Sequence, residues 1–157
     1  MKLCILGGGL TGLSLAKSLI KKGFYIDIFL SKKSLDFNRS RTIGISNDNL
    51  LYFNKEILDI KELSWDIKKI EIYSDNLRNE KILNFENNNK TVFAIIRNYQ
   101  LQSKLLKSLK KDKLCKFKQN FDYNLSNLKK YKLIINCEND NYFSKKFFAR
   151  SLKKKYD

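Results

Sequence analysis

The feature that most constrains the fold of this chain is a glycine-rich turn near its start. The apolar segment KLCIL runs into GGGLTG, and a second apolar segment, FYIDIFL, follows Gly23. Five of the six glycines in the chain fall within the first thirty residues. The spacing Gly7-x-Gly9-x-x-Gly12, after a strand and at the start of a helix, is the dinucleotide-binding fingerprint. The stretch therefore predicts a strand, turn, helix and strand that together bind nucleotide phosphates.

Each position of the fingerprint has its own expected role. Gly7 permits the tight turn, Gly9 lets the backbone approach a pyrophosphate, and Gly12 lets the helix pack closely on the strand. Leu10 and Thr11 begin the helix, where free N–H groups and the helix dipole favour an anion. We therefore expect these five residues to contact the phosphates of a bound cofactor.

Two other interpretations of this stretch are open at the level of sequence. A glycine-rich turn can lack a ligand, although Ala16 and Leu19 continue a helical pattern and Gly23 ends it. The second interpretation is a secretory signal, in which Lys2 would be followed by an uncharged run and by small residues before a cleavage site at Ala16. Three adjacent glycines argue against a signal, and the run is too short to span a bilayer, which needs about 20 apolar residues.

The end of the second predicted strand lacks the acidic residue that binds a ribose 2′-hydroxyl, about 20 residues beyond the glycines. Leu30 and Ser31 occupy this place, and Lys32 and Lys33 follow. The Ser31 hydroxyl can replace the acid in part. Because Ser31 with two lysines would also suit a 2′-phosphate, NADP is a candidate ligand.

The composition excludes several kinds of site. The chain has no histidine, and its three cysteines lack metal-ligand spacing, which excludes Ser-His-Asp and Cys-His mechanisms and argues against a metal site. Cys4 and Cys137 lie in apolar strand patterns, which predicts buried thiols in a reducing cytoplasm. The net charge of +16 comes from lysines scattered through every segment. We interpret most of them as solvated surface, and nucleic-acid binding would rest on charge alone.

The rest of the chain predicts an α/β fold with an inserted antiparallel β meander at about 66–96, where apolar residues recur with a period of two. This insertion can supply a substrate-facing surface or only pack against the rest of the domain. Ser46 is a helix N-cap signal after the short segment that begins at Arg41. Asn98 is expected to cap a later helix whose first turn ends at Gln102.

The last third of the chain predicts one more sheet strand and a basic tail. Leu133 to Cys137 is typical of a buried parallel strand, with polar residues at its carboxyl end. The tail from Phe143 to Tyr156 is basic and aromatic, with helical spacing. It can lie on an anionic membrane surface, and a solvated helix is the alternative.

The order of these motifs resembles the N-terminal part of the FAD-dependent aromatic hydroxylases of ubiquinone biosynthesis, relatives of p-hydroxybenzoate hydroxylase. The glycine fingerprint, the segment SRTIGIS at 40–46 and the helix start Asn98-x-x-Leu101-Gln102 carry the resemblance. It implies a Rossmann-like FAD-binding fold whose glycines lie against the FAD pyrophosphate. It also implies that Arg41 and Gln102 lie near the flavin.

The resemblance further implies a monooxygenase that uses FAD, with NAD(P)H as reductant and a small aromatic quinone precursor as substrate. It implies a cytoplasmic protein that is peripheral at the inner membrane surface. No residue of the chain can be named as catalytic. An alternative is a non-catalytic Rossmann-type module that binds FAD or NADP.

Two departures from the family pattern concern the end of the chain. The Asp-Gly pair of the family is replaced by Glu138 and Asn139, and the later Gly-Asp segment has no counterpart before Asp157. We therefore expect residues 1–157 to form an incomplete, truncated FAD-binding domain. A complementary C-terminal chain is its expected partner.

Overall fold

The computed structural model describes residues 1–30, 39–75, 80–88, 90–121 and 128–148. Ser31 and the two lysines after it, and the tail beyond residue 148, lie outside the described residues. The chain divides into two compact units. Unit one comprises Met1–Asp36 and Lys110–Asp157, and unit two comprises Phe37–Leu109.

The strands are β1 (Lys2–Leu6), β2 (Tyr25–Leu30), β3 (Thr42–Ser46), β4 (Ser64–Ile67), β5 (Lys69–Tyr73), β6 (Lys81–Glu86), β7 (Phe93–Arg97), β8 (Cys115–Gln119) and β9 (Leu133–Asn136). The α-helices are α1 (Leu10–Lys21), α2 (Asn47–Tyr52), α3 (Asn98–Lys110) and α4 (Tyr142–Phe148). A π-helical turn (Phe53–Ile57) and a 3₁₀ turn (Lys61–Leu63) precede β4.

Unit one is built on a four-stranded parallel sheet with the order β8-β2-β1-β9. The apolar runs of β1 and β2 are buried because α1 crosses over one face, where Leu3 and Ile5 lie, while Cys4 and Leu6 point to the other. Gly23 ends α1 with a positive φ of 82° and donates its N–H to Ile20 at 2.8 Å. The predicted strand, turn, helix and strand are confirmed.

The second face of the parallel sheet carries its own small core. Cys4, Leu6 and Tyr131 are buried there, and Phe29 and Phe121 pack against them. The rings of Phe29 and Phe121 meet edge to face with centroids 4.7 Å apart. The sheet is therefore packed on both faces, as expected of parallel strands.

Unit two is antiparallel. Its three-stranded sheet has the order β3-β7-β4, and β5 and β6 form a separate two-stranded hairpin. The α/β class with inserted antiparallel strands is confirmed, but the strands are not paired in chain order. β7 pairs with β3 and β4 instead of with β6 because its buried residues, Ala94 and Ile96, form the centre of that sheet.

Several local expectations need correction. Ser46 is the N-cap residue of α2 but makes no side-chain capping bond. Asn98 is the first residue of α3 and not its cap, and its Oδ1 accepts no hydrogen bond within the described chain. β9 is parallel as predicted, yet only partly buried, because it is the last strand of its sheet. Cys4 is buried as predicted, whereas Cys137 is half-buried.

Among the described residues, no helix is long and apolar enough to cross a membrane.

Candidate dinucleotide-binding site

The turn after β1 depends on the backbone freedom of Gly7. Its φ is +118°, in the range that favours glycine. The N–H of Gly7 donates to the carbonyl of Phe29 at 2.9 Å, which joins the turn to the end of β2. A Cβ atom here would lie 2.8 Å from Cγ of Glu138. Both the conformation and the space therefore require glycine.

Gly12 provides the close contact between α1 and the turn. A Cβ atom on Gly12 would lie 2.2 Å from the carbonyl oxygen of Gly7 and 3.3 Å from Cγ2 of Ile5. The first of these contacts is with backbone, which cannot move aside without opening the turn. The start of the helix is thus held against β1 by the absence of a side chain.

Gly9 differs from the other two glycines because it faces open space. No atom lies within 4 Å of where its Cβ would be, and its backbone is extended, with φ −74° and ψ 176°. Gly9 is the N-cap of α1, and its carbonyl accepts the N–H of Leu13 at 3.0 Å. Nothing within the described chain therefore requires glycine at this position.

The first turn of α1 is suited to an anion. Leu10 and Thr11 begin the helix with Gly12, and the N–H groups of a first helical turn have no intrahelical acceptor. The turn contains no acidic residue, so the positive end of the helix dipole is not neutralised from within. Gly7, Gly9, Leu10, Thr11 and Gly12 are thus brought together as one cradle.

Glu138 lies beside this cradle, at the end of β9. Its Oε1 is buried and has no hydrogen-bond partner within the described residues, and its Cγ approaches Gly7. A buried acceptor without a donor is uncommon in a folded protein. The sequence places Glu138 among the polar residues at the carboxyl end of a strand, where open α/β sheets bind ligands, but it does not show that Glu138 lies beside the glycine turn.

A network of polar side chains fixes the segment that follows Glu138. Asn136 donates from Nδ2 to Oγ of Ser144 at 2.8 Å, and its Oδ1 accepts Nδ2 of Asn141 at 2.6 Å. Ser144 donates from Oγ to the carbonyl of Glu138 at 2.6 Å. Asn141 also caps α4, accepting the N–H of Ser144 at 3.0 Å. The end of β9 and the start of α4 are therefore held in one geometry.

Arg41 and Gln102 belong to unit two, where the start of β3 meets the start of α3. The N–H of Asn98 donates to the carbonyl of Arg41 at 3.0 Å. Gln102 lies four residues after Asn98 and so on the same face of α3. The buried Oδ1 of Asn98 is a second acceptor without a donor in the described chain. Ser31, the remaining expected site residue, lies outside the described residues.

A buried charge cluster lies under the second face of the parallel sheet and was not foreseen from the sequence. Asp27 is only 1% exposed. Its carboxylate accepts hydrogen bonds from Lys2 at 2.9 Å, Lys118 at 2.7 Å and Tyr131 at 2.7 Å. Burial alone would raise the pKa of Asp27, but the bonds from Lys118, Tyr131 and Lys2 lower it overall.

The cysteines of unit one are poor nucleophiles. Burial, with a smaller effect of a nearby carboxylate, raises the pKa of Cys4 and Cys115 to about 12. Burial also raises the pKa of Cys137. No group of three or more potential metal ligands is found in the described part of the chain. The arrangement suits binding of a phosphate-bearing cofactor more than catalysis by the chain's own side chains.

The residues present fit a dinucleotide such as FAD. A pyrophosphate flanked by hydroxyl groups would use three features of this site. They are the open space at Gly9, the start of α1 whose helix dipole is not neutralised, and the unpartnered acceptor of Glu138. The redox chemistry would belong to the cofactor.

No protein-family model and no curated protein matches this sequence. Solved structures match its fold. The chain is similar to p-nitrophenol 4-monooxygenase PnpA from Pseudomonas putida DLL-E4, with 16% identity and a TM-score of 0.61 over 75% of this chain and 31% of that one. It is similar to PqsL of Pseudomonas aeruginosa, a probable FAD-dependent monooxygenase, with 14% identity and a TM-score of 0.59 over 76% and 32%.

HpxO of Klebsiella pneumoniae, solved in complex with FAD and uric acid, is a third such structure. It is 19% identical, with a TM-score of 0.55 over 74% of this chain and 30% of that one. The chain spans about a third of the length of these structures. At these identities the similarity establishes the fold alone, which the chain shares with part of each of these structures.

Proposed function

We propose that the chain is the FAD-binding part of a flavin-dependent monooxygenase. The observation that carries the proposal is the division of roles among the three glycines. Gly7 and Gly12 are required by the chain itself, whereas Gly9 is followed by a helix start and faces open space. The fold does not require glycine at position 9. At the anion-binding end of a helix, however, glycine lets a pyrophosphate approach the backbone closely.

In this proposal the protein binds and orients the cofactor. The N–H groups of Leu10, Thr11 and Gly12 would bind the pyrophosphate, and the carboxylate of Glu138 would accept a hydroxyl of the same ligand. By the resemblance in sequence, Arg41 and Gln102 would contact the flavin. When bound, FAD would supply the oxidation and reduction steps.

The substrate, the reductant and the place of action are further parts of the proposal. The resemblance in sequence to the ubiquinone-biosynthesis hydroxylases supports an aromatic quinone precursor as substrate and NAD(P)H as reductant. A cytoplasmic protein in peripheral contact with the inner membrane would suit such a substrate, and the net charge of +16 favours an anionic surface. The proposal includes a complementary C-terminal chain as partner.

The test is cofactor binding by the purified chain, measured by flavin absorbance and fluorescence quenching. Wild-type protein is expected to bind FAD, and Gly9→Val is expected to weaken binding by about tenfold or more because its side chain would occupy the phosphate position. Thermal unfolding of Gly9→Val should match the wild type, since the backbone conformation of Gly9 is open to any residue.

Ser18→Ala is the matched control. Ser18 lies in the same helix, in its second half, and its substitution should leave FAD binding unchanged. NADP is titrated in parallel, since Leu30 stands where a ribose-binding acid is expected. Tight NADP binding without FAD binding would replace the proposal with the NADP module, and unaltered FAD binding by Gly9→Val would refute the assigned phosphate position.

A further inference from the structure

Lysines that are scattered through the sequence come together on the second face of the parallel sheet, opposite α1. Lys2 begins β1, and its Nζ lies 2.9 Å from the carboxylate of Asp27. Lys118 of β8 lies 2.7 Å from the same carboxylate. The Nζ atoms of Lys2 and Lys130 lie 5.6 Å and 5.5 Å from the ring centre of Tyr131, whose hydroxyl donates to Asp27. Three ammonium groups therefore lie around one buried carboxylate.

Two further lysines extend this group. Lys116 pairs with Asp27 in the ladder between β2 and β8, so their side chains share a face of the sheet. The N–H of Lys132, just before β9, donates to the carbonyl of Lys2 at 3.1 Å, which places Lys132 beside β1. Both Lys116 and Lys132 are exposed. We call the whole group the lysine face, which consists of Lys2, Lys116, Lys118, Lys130 and Lys132.

The lysine face carries more positive charge than its own carboxylate can neutralise. Asp27 is 1% exposed and brings one negative charge to five ammonium groups, which leaves a formal charge of +4. Asp112, which precedes β8 at the same end of the sheet, pairs instead with Lys17 of α1 at 3.8 Å. Charges of one sign that are gathered on one surface create a potential that attracts anions.

The lysine face lies at the amino ends of the strands, away from the glycine cradle. Lys2 begins β1 and Gly7 follows its last residue, so about 16 Å of strand separates them at about 3.3 Å per residue. Tyr25 pairs with Lys2 at the start of β2 and is 55% exposed. An exposed tyrosine between lysines is suited to the headgroup level of a bilayer, where both kinds of side chain are favourable.

We propose that the lysine face binds the surface of a bilayer that contains anionic phospholipids. Each lysine near such a surface strengthens binding by about fivefold. The inference deepens the membrane contact that the proposed function includes, and it rests on that proposal in part. It adds the side of unit one that meets the bilayer. The cradle lies farther away than the Debye length of about 8 Å at physiological salt, so a cofactor and the bilayer would bind independently.

The chemistry of the lysine face favours a lipid surface over a nucleic acid. All of its cations are lysines, whereas arginine is the residue best suited to nucleic-acid phosphates because it forms paired hydrogen bonds. Sequence-independent binding of single strands uses several aromatic rings that stack on successive bases. Of the two tyrosines here, Tyr131 is only 7% exposed and its ring is covered. Clusters of about four to eight lysines are typical of surfaces that bind anionic headgroups.

The experiment measures co-sedimentation of the 157-residue chain with vesicles of phosphatidylcholine, with and without phosphatidylglycerol. We expect binding only to the vesicles that contain phosphatidylglycerol, and we expect added salt to weaken it. Lys116→Gln combined with Lys132→Gln should weaken binding by about 25-fold, since each lysine contributes about fivefold. This variant keeps the bonds to Asp27. The control, Lys68→Gln with Lys107→Gln, removes the same charge from exposed positions of unit two and should bind as the wild type does.

A second measurement tests the orientation. A water-soluble acetylating reagent should modify Lys116 and Lys132 more slowly when vesicles with phosphatidylglycerol are present, while Lys68 should react at the same rate with or without them. Equal protection of all three lysines would overturn the proposed orientation.

Three other results would overturn the proposal. They are the absence of binding to phosphatidylglycerol vesicles, an equal weakening by the control variant, and binding to a single-stranded oligonucleotide that is tighter than binding to vesicles and is lost in the Lys116 and Lys132 variant. FAD binding is measured on the same samples. Vesicle binding without FAD binding would support the lysine face and count only against the cofactor, whereas FAD binding without vesicle binding would count only against the lysine face.

Discussion

Each unit contains a glycine at which an added side chain would clash, but the atoms that it would meet differ. At Gly12 in unit one the missing Cβ would lie 2.2 Å from a backbone oxygen, that of Gly7. At Gly44 in unit two it would lie 2.1 Å from the ring of Phe93. A ring can rotate away, whereas the turn cannot. Unit one is therefore constrained by its backbone, and unit two by side chains that can adjust.

The chain has separate probes for the two units. All three cysteines lie in unit one, and the single tryptophan, Trp65, lies in unit two, with the Arg97 guanidinium 5.5 Å from its ring centre. Thiol labelling during urea unfolding thus reports on unit one, and tryptophan fluorescence reports on unit two.

The largest effect is expected for Gly12→Ala. The new methyl group would meet backbone, so we expect a loss of about 3 kcal/mol in the free energy of unfolding of unit one. Thiol labelling of Cys4 and Cys115 should move to lower urea, while Trp65 fluorescence should change less. Equal stability of Gly12→Ala and wild type would show that the turn can open, and it would contradict the inference that unit one is constrained by its backbone.

Asp27→Asn tests the buried charge cluster of unit one. Removing the charge that Lys2, Lys118 and Tyr131 share is expected to cost about 2 kcal/mol at pH 7. The folded pKa of Asp27 is lowered, so its contribution is present above the ordinary carboxyl pKa and is lost as pH falls through the folded value. The free energies of unfolding of the wild type and of Asp27→Asn should therefore approach each other at acid pH.

The control for Asp27→Asn is Asp66→Asn, which changes an exposed carboxylate in β4 of unit two. Its stability should follow the wild type at every pH where the protein is folded. A constant difference between Asp27→Asn and wild type from pH 7 down to pH 3 would contradict a stabilising ionised carboxylate at Asp27.

Gly44→Ala should have a smaller effect than Gly12→Ala despite the equally short contact. The ring of Phe93 can move, so we expect a loss of about 1 kcal/mol, reported by Trp65 fluorescence. Combining it with Phe93→Leu should recover part of the loss in a double-mutant cycle. A loss as large as that of Gly12→Ala, with no recovery, would remove the distinction between the two units.

The smallest effect is expected for Glu62→Gln in unit two. Its carboxylate accepts a hydrogen bond from Lys104 at 2.7 Å, but the side chain of Glu62 is 71% exposed. An exposed ion pair of this kind contributes about 0.3 kcal/mol, which added salt should abolish. A loss of free energy of unfolding as large as that of Asp27→Asn would mean that the exposed carboxylate of Glu62 contributes as much as the buried carboxylate of Asp27.

Most of unit one could be predicted from the sequence because its determinants are local. The glycine spacing, the period of α1 and the stop at Gly23 lie within a few residues of one another, and a βαβ unit has one preferred handedness. The position of β9 at the sheet edge was less accessible, since a run such as LIIN is equally typical of a central strand.

Pairing in unit two depends on distant residues and was only partly predictable. A period-two pattern predicted β5 and β6, and a continuous apolar run predicted β7. Neither could show that β7 joins β3, roughly 50 residues earlier, because antiparallel neighbours need not be consecutive. The same limit applies to the candidate site. Glu138 reaches Gly7 across the whole chain, and the partners of Asp27 come from three other parts of the sequence.

Unit one is discontinuous in the sequence, which has a consequence for its synthesis. β1, α1 and β2 leave the ribosome first, but β8 and β9 follow only after the roughly 70 residues of unit two. The stretch between Leu30 and Cys115 takes about 4–17 s to synthesise at about 5–20 residues per second, and the two central strands lack their neighbours for at least this time. During this interval Ile26, Ile28 and both strand edges are open to other chains. We expect nascent chains halted near residue 110 to be bound by chaperones, and those extended well beyond residue 136 to escape them.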